Sequence, residues 1–525
     1  MSFTSSVFAV FLAVLLIGYY LLPQRAQWVW LLLGSYVFYC WSAPSFAAFL
    51  LFSTVTTWLF PLWMGQISRQ QKEFLASPAG KALSREEKKA YKARRAGSRR
   101  LLLVLCLVCN IGLLVFLKYT NFLISILNGL GAELLPLEWL VLPLGFSFYT
   151  FQSVGYCLDV YWDNVEPQPN FFRYALYVSF FPQVSQGPIG RYGDMAPQLY
   201  AGHTLDYDRL LGGFFRLMVG LWKKLVLANR LALYVDGIYG APADYSGGIL
   251  ALATLMYGLE LYADFSGYTD IALGVGEMLG IRLPENFDTP YFSHSITEFW
   301  RRWHTTLGDW FRDYLYYPIQ RSALFTGLHK SLTRRGQKAL AKTLVPVLGL
   351  AITWLLIGMW HGASWNFILY GLYHGSFIML AVILGGWYGK AKAALHIREE
   401  NRLWRAFQVL RTFAIVTLGY VLFRAPDLAT AGLIFGKIFT GIWPRRGVGY
   451  LNGLTLSDFT AQTWLVCLVM LAVALAVEIY QTRHSLWAWF AARRPAVQWL
   501  VLYAMALCIL VFGEFGVTSF LYFQF

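Results

Sequence analysis

Apolar runs long enough to cross a bilayer recur from one end of this 525-residue chain to the other, and no other feature restricts its fold as much. About 20 helical residues span a membrane's hydrocarbon layer. Only 14% of the residues are charged and 57% are hydrophobic, whereas a soluble domain averages about 25% charged. The runs are continuously apolar, which favours helices over the alternating strands of a barrel. The expected fold class is therefore all-α, a polytopic membrane helix bundle. Candidate spans cover 7–22, 28–41, 46–64, 101–127, 140–160, 210–228, 247–262, 268–283, 344–360, 365–388, 404–424, 461–480 and 497–515. The first lacks the basic flank of a cleaved signal and is expected to stay as a span.

The net charge of +15 is gathered into patches. Residues 66–100 hold eleven Lys or Arg against Glu73, Glu86 and Glu87, and 321–342 hold six and no acid. Basic loops beside spans mark the cytoplasmic face and meet anionic headgroups, so membrane lipids are the expected partner and nucleic acid is not. Counting crossings from the 66–100 loop puts the N-terminus outside, and the C-terminus is expected outside as well. Ser84 with Glu87 has the spacing of a helix N-cap. The six cysteines lie in apolar stretches; Cys106 and Cys109 form a lone C-x-x-C with no second pair, so neither zinc nor a disulfide framework is expected.

The basic stretches 321–343 and 390–411 are both expected inside. The segment between them then crosses twice, and its sharp interruption is Gly358 to Ser364. His361 stands at that elbow. An ionisable group at such a place is a functional-site candidate by default. His304 lies in Ser295–Pro318, too charged to face lipid. There Trp300, Trp303, Leu307, Trp310, Phe311 and Tyr314 recur at helical spacing with His304 on the same face. His374 is a third buried candidate, while the other five histidines stand in polar surroundings. Phe180 to Tyr192, broken by Pro182, Gly187, Pro188 and Gly190, suits an irregular segment lining a cavity.

An imidazole suits a general base that removes a proton from a hydroxyl attacking an acyl thioester. Asn366, the Trp365 indole or backbone at Gly362 are candidate donors to the resulting oxyanion. His361 is expected to be wetted by a passage open to both compartments. Glu260 and Asp264 are four apart on one helix, near Tyr268 and Asp270; they are read as structural partners for Arg301 and Arg302 or as caps. Asp309, Arg312 and Asp313 are read the same way. Gly276-x-x-x-Gly280 permits a close helix contact. P-loop, dinucleotide, H-E-x-x-H and G-x-S-x-G patterns do not occur, so a Ser-nucleophile hydrolase or an ATP-driven pump is unsupported.

Several stretches together resemble the membrane-bound O-acyltransferase family, in its alginate O-acetylase-like branch: Leu142–Gln152, Phe181–Arg191, Asp264–Gly274, Phe299–Leu307, Met359–Gly362 and the closing Tyr522–Phe525. The resemblance is strongest across 142–375 and implies a single membrane domain with its catalytic core there. It implies about eleven spans plus re-entrant helices around a central funnel and tunnel. It implies His361 and His304 as the catalytic pair, with Trp303, Gln183, Gln186, Asp264, Tyr268, Trp365 and Asn366 as candidate substrate contacts. Alginate-type relatives carry His in the Phe-Pro-x element where this chain has Gln183.

The expected function is transfer of an acetyl group from a cytoplasmic thioester, acetyl-CoA or a carrier-protein donor, for O-acetylation of an exported polysaccharide. An extracytoplasmic acetyltransferase partner is expected to complete delivery, and no tightly bound cofactor is expected. One alternative is D-alanyl transfer from a carrier protein to teichoic acid. A second is a proton-coupled secondary transporter, which tends to show paired repeats absent from this sequence.

Overall fold

The computed structural model describes residues 1–42, 44–441 and 453–516. The closing motif at 522–525 lies outside them. Among the described residues every regular element is helical, with two isolated bridges and no strand ladder. Among the described residues, eight helices are long and apolar enough to cross a membrane, and Ser6–Leu21 and Leu428–Thr440 are shorter apolar helices. The chain is thus an all-α, multi-pass membrane protein. It divides into two units: Met1–Gly213 with Val275–Pro284, and Phe214–Gly274 with Glu285–Phe525.

The first unit opens with a hairpin of Ser6–Leu21 and Gln24–Ser42. The Ser5 hydroxyl caps the first helix, and the Trp30 indole N–H donates across the hairpin to the Leu15 carbonyl at 2.9 Å. Helix Ala47–Ala76 runs past the expected span to include Arg69 and Lys72. Ser84 and Glu87 form the expected capping box at the start of Arg85–Leu107. That helix continues through a π-helical turn, Val108–Gly112, into Leu113–Gly129. Asn110 sits on the π turn, buried, where its side-chain oxygen accepts from Ser53 Oγ at 2.6 Å. A wide turn of this kind lets a polar side chain reach a neighbouring helix instead of lipid. Cys106 Sγ lies 3.4 Å from Cys157 Sγ, so its neighbour is on helix Phe146–Tyr161 and not Cys109.

Two sequence expectations fail at Gly247–Met278. Residues 247–262 and 268–283 are not two spans but one 32-residue helix. Two of the acids that suggested a break, Asp264 and Asp270, are paired instead. Asp264 meets Lys224 at 2.5 Å, and Asp270 meets Arg216 at 3.2 Å and Lys223 at 2.8 Å. Arg302 pairs with Glu298, so the expected acid partners for it were wrong. Gly276 and Gly280 do not mark a helix crossing. Gly280 has φ +81° and ends the helix, with the Ile281 N–H donating back to the Gly276 carbonyl at 2.8 Å. A left-handed residue at this position favours glycine.

The second unit contains the hairpin Lys338–His361 and Trp365–Ala394. Its arms touch backbone to backbone. A Cβ on Gly371 would lie 2.4 Å from the Trp354 carbonyl oxygen, and one on Gly358 would lie 2.5 Å from the Phe367 carbonyl oxygen. Arg402–Arg424 packs beside the second arm through the Tyr373 hydroxyl, which donates to the Ile415 carbonyl at 2.8 Å. Burial separates inner from outer helices. Two thirds of the apolar stretch of Gly247–Met278 is covered, against 6% of that of Ala461–Gln481. The latter turns its apolar face outward, as a lipid-facing helix does.

Candidate active site

His361 is the last residue of Lys338–His361, where the chain turns extended at Gly362 before Trp365 restarts a helix. The hinge read from Gly358 to Ser364 is therefore present. The His361 ring is 5% exposed and bordered by Trp360, Phe423 and Tyr370, with centroids at 4.9, 5.3 and 5.8 Å. Aromatic rings flank this imidazole on three contacts. Asn366, also buried, donates through Nδ2 to the Ala425 carbonyl at 2.7 Å, tying the second arm to the end of Arg402–Arg424. Trp365 is 51% exposed at the start of the second arm.

His304 departs from its predicted setting. The aromatic run is not one helix. Ile296–Arg302 ends, His304 takes φ +46°, and Thr305–Phe311 begins. A non-glycine residue in the left-handed region is strained and persists only where its surroundings hold it. The Asn286 carbonyl accepts the Thr305 N–H at 3.0 Å, and Asp288 N–H donates to the Arg302 carbonyl at 3.0 Å. His304 Nδ1 lies 2.9 Å from Asn286 Oδ1, the oxygen that also accepts the Thr306 hydroxyl at 2.9 Å. Phe265 stands edge-on to the ring at 4.8 Å. Burial pushes the His304 imidazole down to about 3, so it is neutral at physiological pH.

The structure brings both histidines into contact with one side chain. Trp360 lies 6.0 Å from the His304 ring and 4.9 Å from the His361 ring. Trp303, nearly fully buried, packs on Phe287 at 5.1 Å. Asp264 and Tyr268 are buried in Gly247–Met278; with Lys224 on it, Asp264 serves as an ion-pair partner. His374 is fully buried among Tyr370, Trp300 and Tyr373. Gln183 and Gln186 belong to the first unit. Gln183 Nε2 donates to the Pro188 carbonyl at 2.7 Å and holds the irregular turn. The Gln186 amide is fully buried with no hydrogen-bond partner among the described residues.

A charged cavity of about 150 Å³ opens in the second unit, with Arg216, Lys223, Asp270, Glu285, Glu478 and Trp487 in its wall. Neither imidazole lines it. Its Phe287 wall residue packs on Phe265 at 5.1 Å, and Phe265 touches His304. An aromatic layer thus separates the cavity from that histidine.

Sequence reasoning missed Asn286, Trp360 as the link between the rings, and the Lys224 partner of Asp264. Asn286 had a signal: it stands in a polar stretch between Pro284 and Pro290, where regular structure is interrupted and side chains are available for specific bonds.

Comparison with known proteins identifies the family of the chain. The family model for the membrane-bound O-acyltransferase family matches residues 165–336. The probable alginate O-acetylase of Azotobacter vinelandii is 34% identical over 480 residues, 90% of this chain and 84% of the relative. The peptidoglycan O-acetyltransferase of Helicobacter pylori is 29% identical over 91% of this chain and 90% of its own length. The teichoic acid D-alanyltransferase of Bacillus subtilis is 31% identical but covers 55% of this chain and 70% of its own length. With similarity of this extent, the chain belongs to the membrane-bound O-acyltransferase family and is an O-acyltransferase.

Proposed function

We propose that this enzyme moves an acetyl group from a cytoplasmic thioester, acetyl-CoA or a related donor, for O-acetylation of an exported polysaccharide. Two relatives named for O-acetylation, of alginate and of peptidoglycan, match about nine tenths of the chain, while the D-alanyltransferase matches little more than half. The observation that carries the catalytic reading is the pair of imidazoles on Trp360. His361 takes the proton from the acceptor hydroxyl as its oxygen attacks the thioester carbonyl. The carbon–sulfur bond then breaks, and the imidazolium returns the proton to the thiolate. His304 assists by orienting His361 or by binding the donor. Entry of the reactants requires Tyr370 or Phe423 to swing away from His361.

The enzyme sits in the cytoplasmic membrane with both termini outside and the basic segments 66–100 and 321–343 inside, against anionic lipid. An extracytoplasmic acetyltransferase finishes delivery to the polymer, and the donor is a substrate, not a resident cofactor. The test is His361→Ala with membrane insertion verified. Acetyl esters on the polymer are expected to fall by about 10²-fold or more, the range of a lost general base. Unreduced acetylation would remove His361 from the mechanism. In a deletion strain, polymer acetate is expected to disappear with polymer alanine intact; the reverse would favour the D-alanyl reaction.

A further inference from the structure

Asn286 is fully buried. Its Oδ1 receives three hydrogen bonds, from the His304 ring at 2.9 Å, the Thr306 hydroxyl at 2.9 Å and the Thr306 backbone N–H at 3.3 Å. A backbone N–H only donates, so the atom facing it is the amide oxygen and not the nitrogen. The ring atom on the same oxygen must then be Nδ1–H. His304 is thereby fixed in the tautomer whose lone pair is on Nε2. The arrangement leaves the Asn286 Nδ2 buried with no hydrogen-bond partner. An aspartate there would accept the same three bonds and leave no orphan donor. It would also place a negative charge on the imidazole and favour its protonated form. The carboxamide accepts the ring N–H without adding the charge that would favour the protonated ring.

We propose that Asn286 is a positioning residue of the transfer site, which holds His304 as a neutral imidazole with Nε2 as its basic atom. The inference rests on the reading of His304 as part of that site. The charged groups on the surrounding elements have partners of their own: Asp264 with Lys224, Glu285 with Arg216, and Arg302 with Glu298. Burial already disfavours the charged ring, and Asn286 chooses which nitrogen keeps the proton.

The experiment compares Asn286→Asp, Asn286→Leu and His304→Gln in the full-length protein in detergent, each checked for a monodisperse elution profile. Transfer from an acyl thioester is followed across pH. Asn286→Asp is expected to raise the pH below which the His304 ring becomes charged, so that the variant loses transfer on the acidic side at a pH where the wild type still works and regains it as pH rises. Asn286→Leu is expected to lose at least 10-fold at every pH. A profile for Asn286→Asp that superimposes on the wild type would overturn the inference. Full activity in His304→Gln would instead sink the underlying reading of His304. A second measurement needs no turnover. In protein carrying ¹⁵N-histidine, the signals lost in His304→Gln identify the ring, and they are expected to report Nδ1–H in the wild type. An Nε2–H signal there would also overturn the proposal.

Discussion

His361 and His304 touch the same indole, yet they are located by different physics. Around His361 the geometry is one of ring edges on a helix end, and the position of that end depends on how closely two hairpin arms approach. Around His304 it is directional: a strained corner, a short antiparallel clamp, and an amide oxygen that selects one nitrogen. Aromatic packing fixes place with little control over protonation. Hydrogen bonding fixes the tautomer. A base that must accept and return a proton suits the first environment, provided the rings can part. A group that must present one constant face suits the second.

The contrast breaks most severely if the hairpin is forced open. Gly371→Val would drive a side chain into the Trp354 carbonyl oxygen, 2.4 Å from the Cβ position, and into the Gly358 Cα at 2.7 Å. Neither is a flexible side-chain end. Overpacking of this kind costs about 1–3 kcal/mol or more, and a displacement of about 1 Å at a reacting group costs on the order of 10²-fold in rate. Acyl transfer is expected to collapse while the ¹⁵N signature of the His304 tautomer persists. Activity within a factor of two of wild type would show that the position of His361 does not depend on the arms' contact.

Acid should single out the other corner. The folded value of His304, about 3, lies below the value near 6.5 expected when the chain is unfolded. Between these values the unfolded chain binds a proton that the folded one refuses. Stability therefore falls as pH drops through that window, by an amount on the order of a few kcal/mol. Melting temperature in detergent, followed from pH 7.5 down to 4.5, is expected to fall less steeply in His304→Gln than in the wild type. Parallel curves would mean that His304 is not the buried group refusing the proton.

The His361 corner was legible in the sequence and the His304 corner was not, for a physical reason. A hinge between two apolar helices is a local property, announced by Gly358, Gly362 and Ser364 within a few residues. The conformation of His304 is set by Asn286, 18 positions earlier, and helical periodicity alone carried the aromatic face straight through Trp303 and His304. The same limit explains Gly247–Met278. Asp264 and Asp270 looked like a break because Lys224, Lys223 and Arg216, which neutralise them, come from a different part of the chain. Long apolar helices, their basic flanks and the capping box at Ser84 were readable since each depends on neighbours in sequence. Gly276-x-x-x-Gly280 misled because a spacing cannot distinguish a crossing from a helix end.

The smallest effect tests how the hairpin is fastened beside His361. Asn366 was read as a donor to the oxyanion, but its Nδ2 is engaged by the Ala425 carbonyl at 2.7 Å. Removing that bond in Asn366→Ala leaves a buried carbonyl without its donor, which costs about 1–3 kcal/mol. If fastening is its work, the melting temperature falls by a few degrees and transfer by a few-fold, and the two recover together when the protein is assayed at lower temperature. If the amide's second proton serves the reaction, transfer falls by roughly 10²-fold, the scale of a lost oxyanion donor, and cooling restores none of it. The first outcome keeps the division of labour between the two corners; the second moves part of the hydrogen-bond chemistry to the His361 side and ends the contrast as drawn.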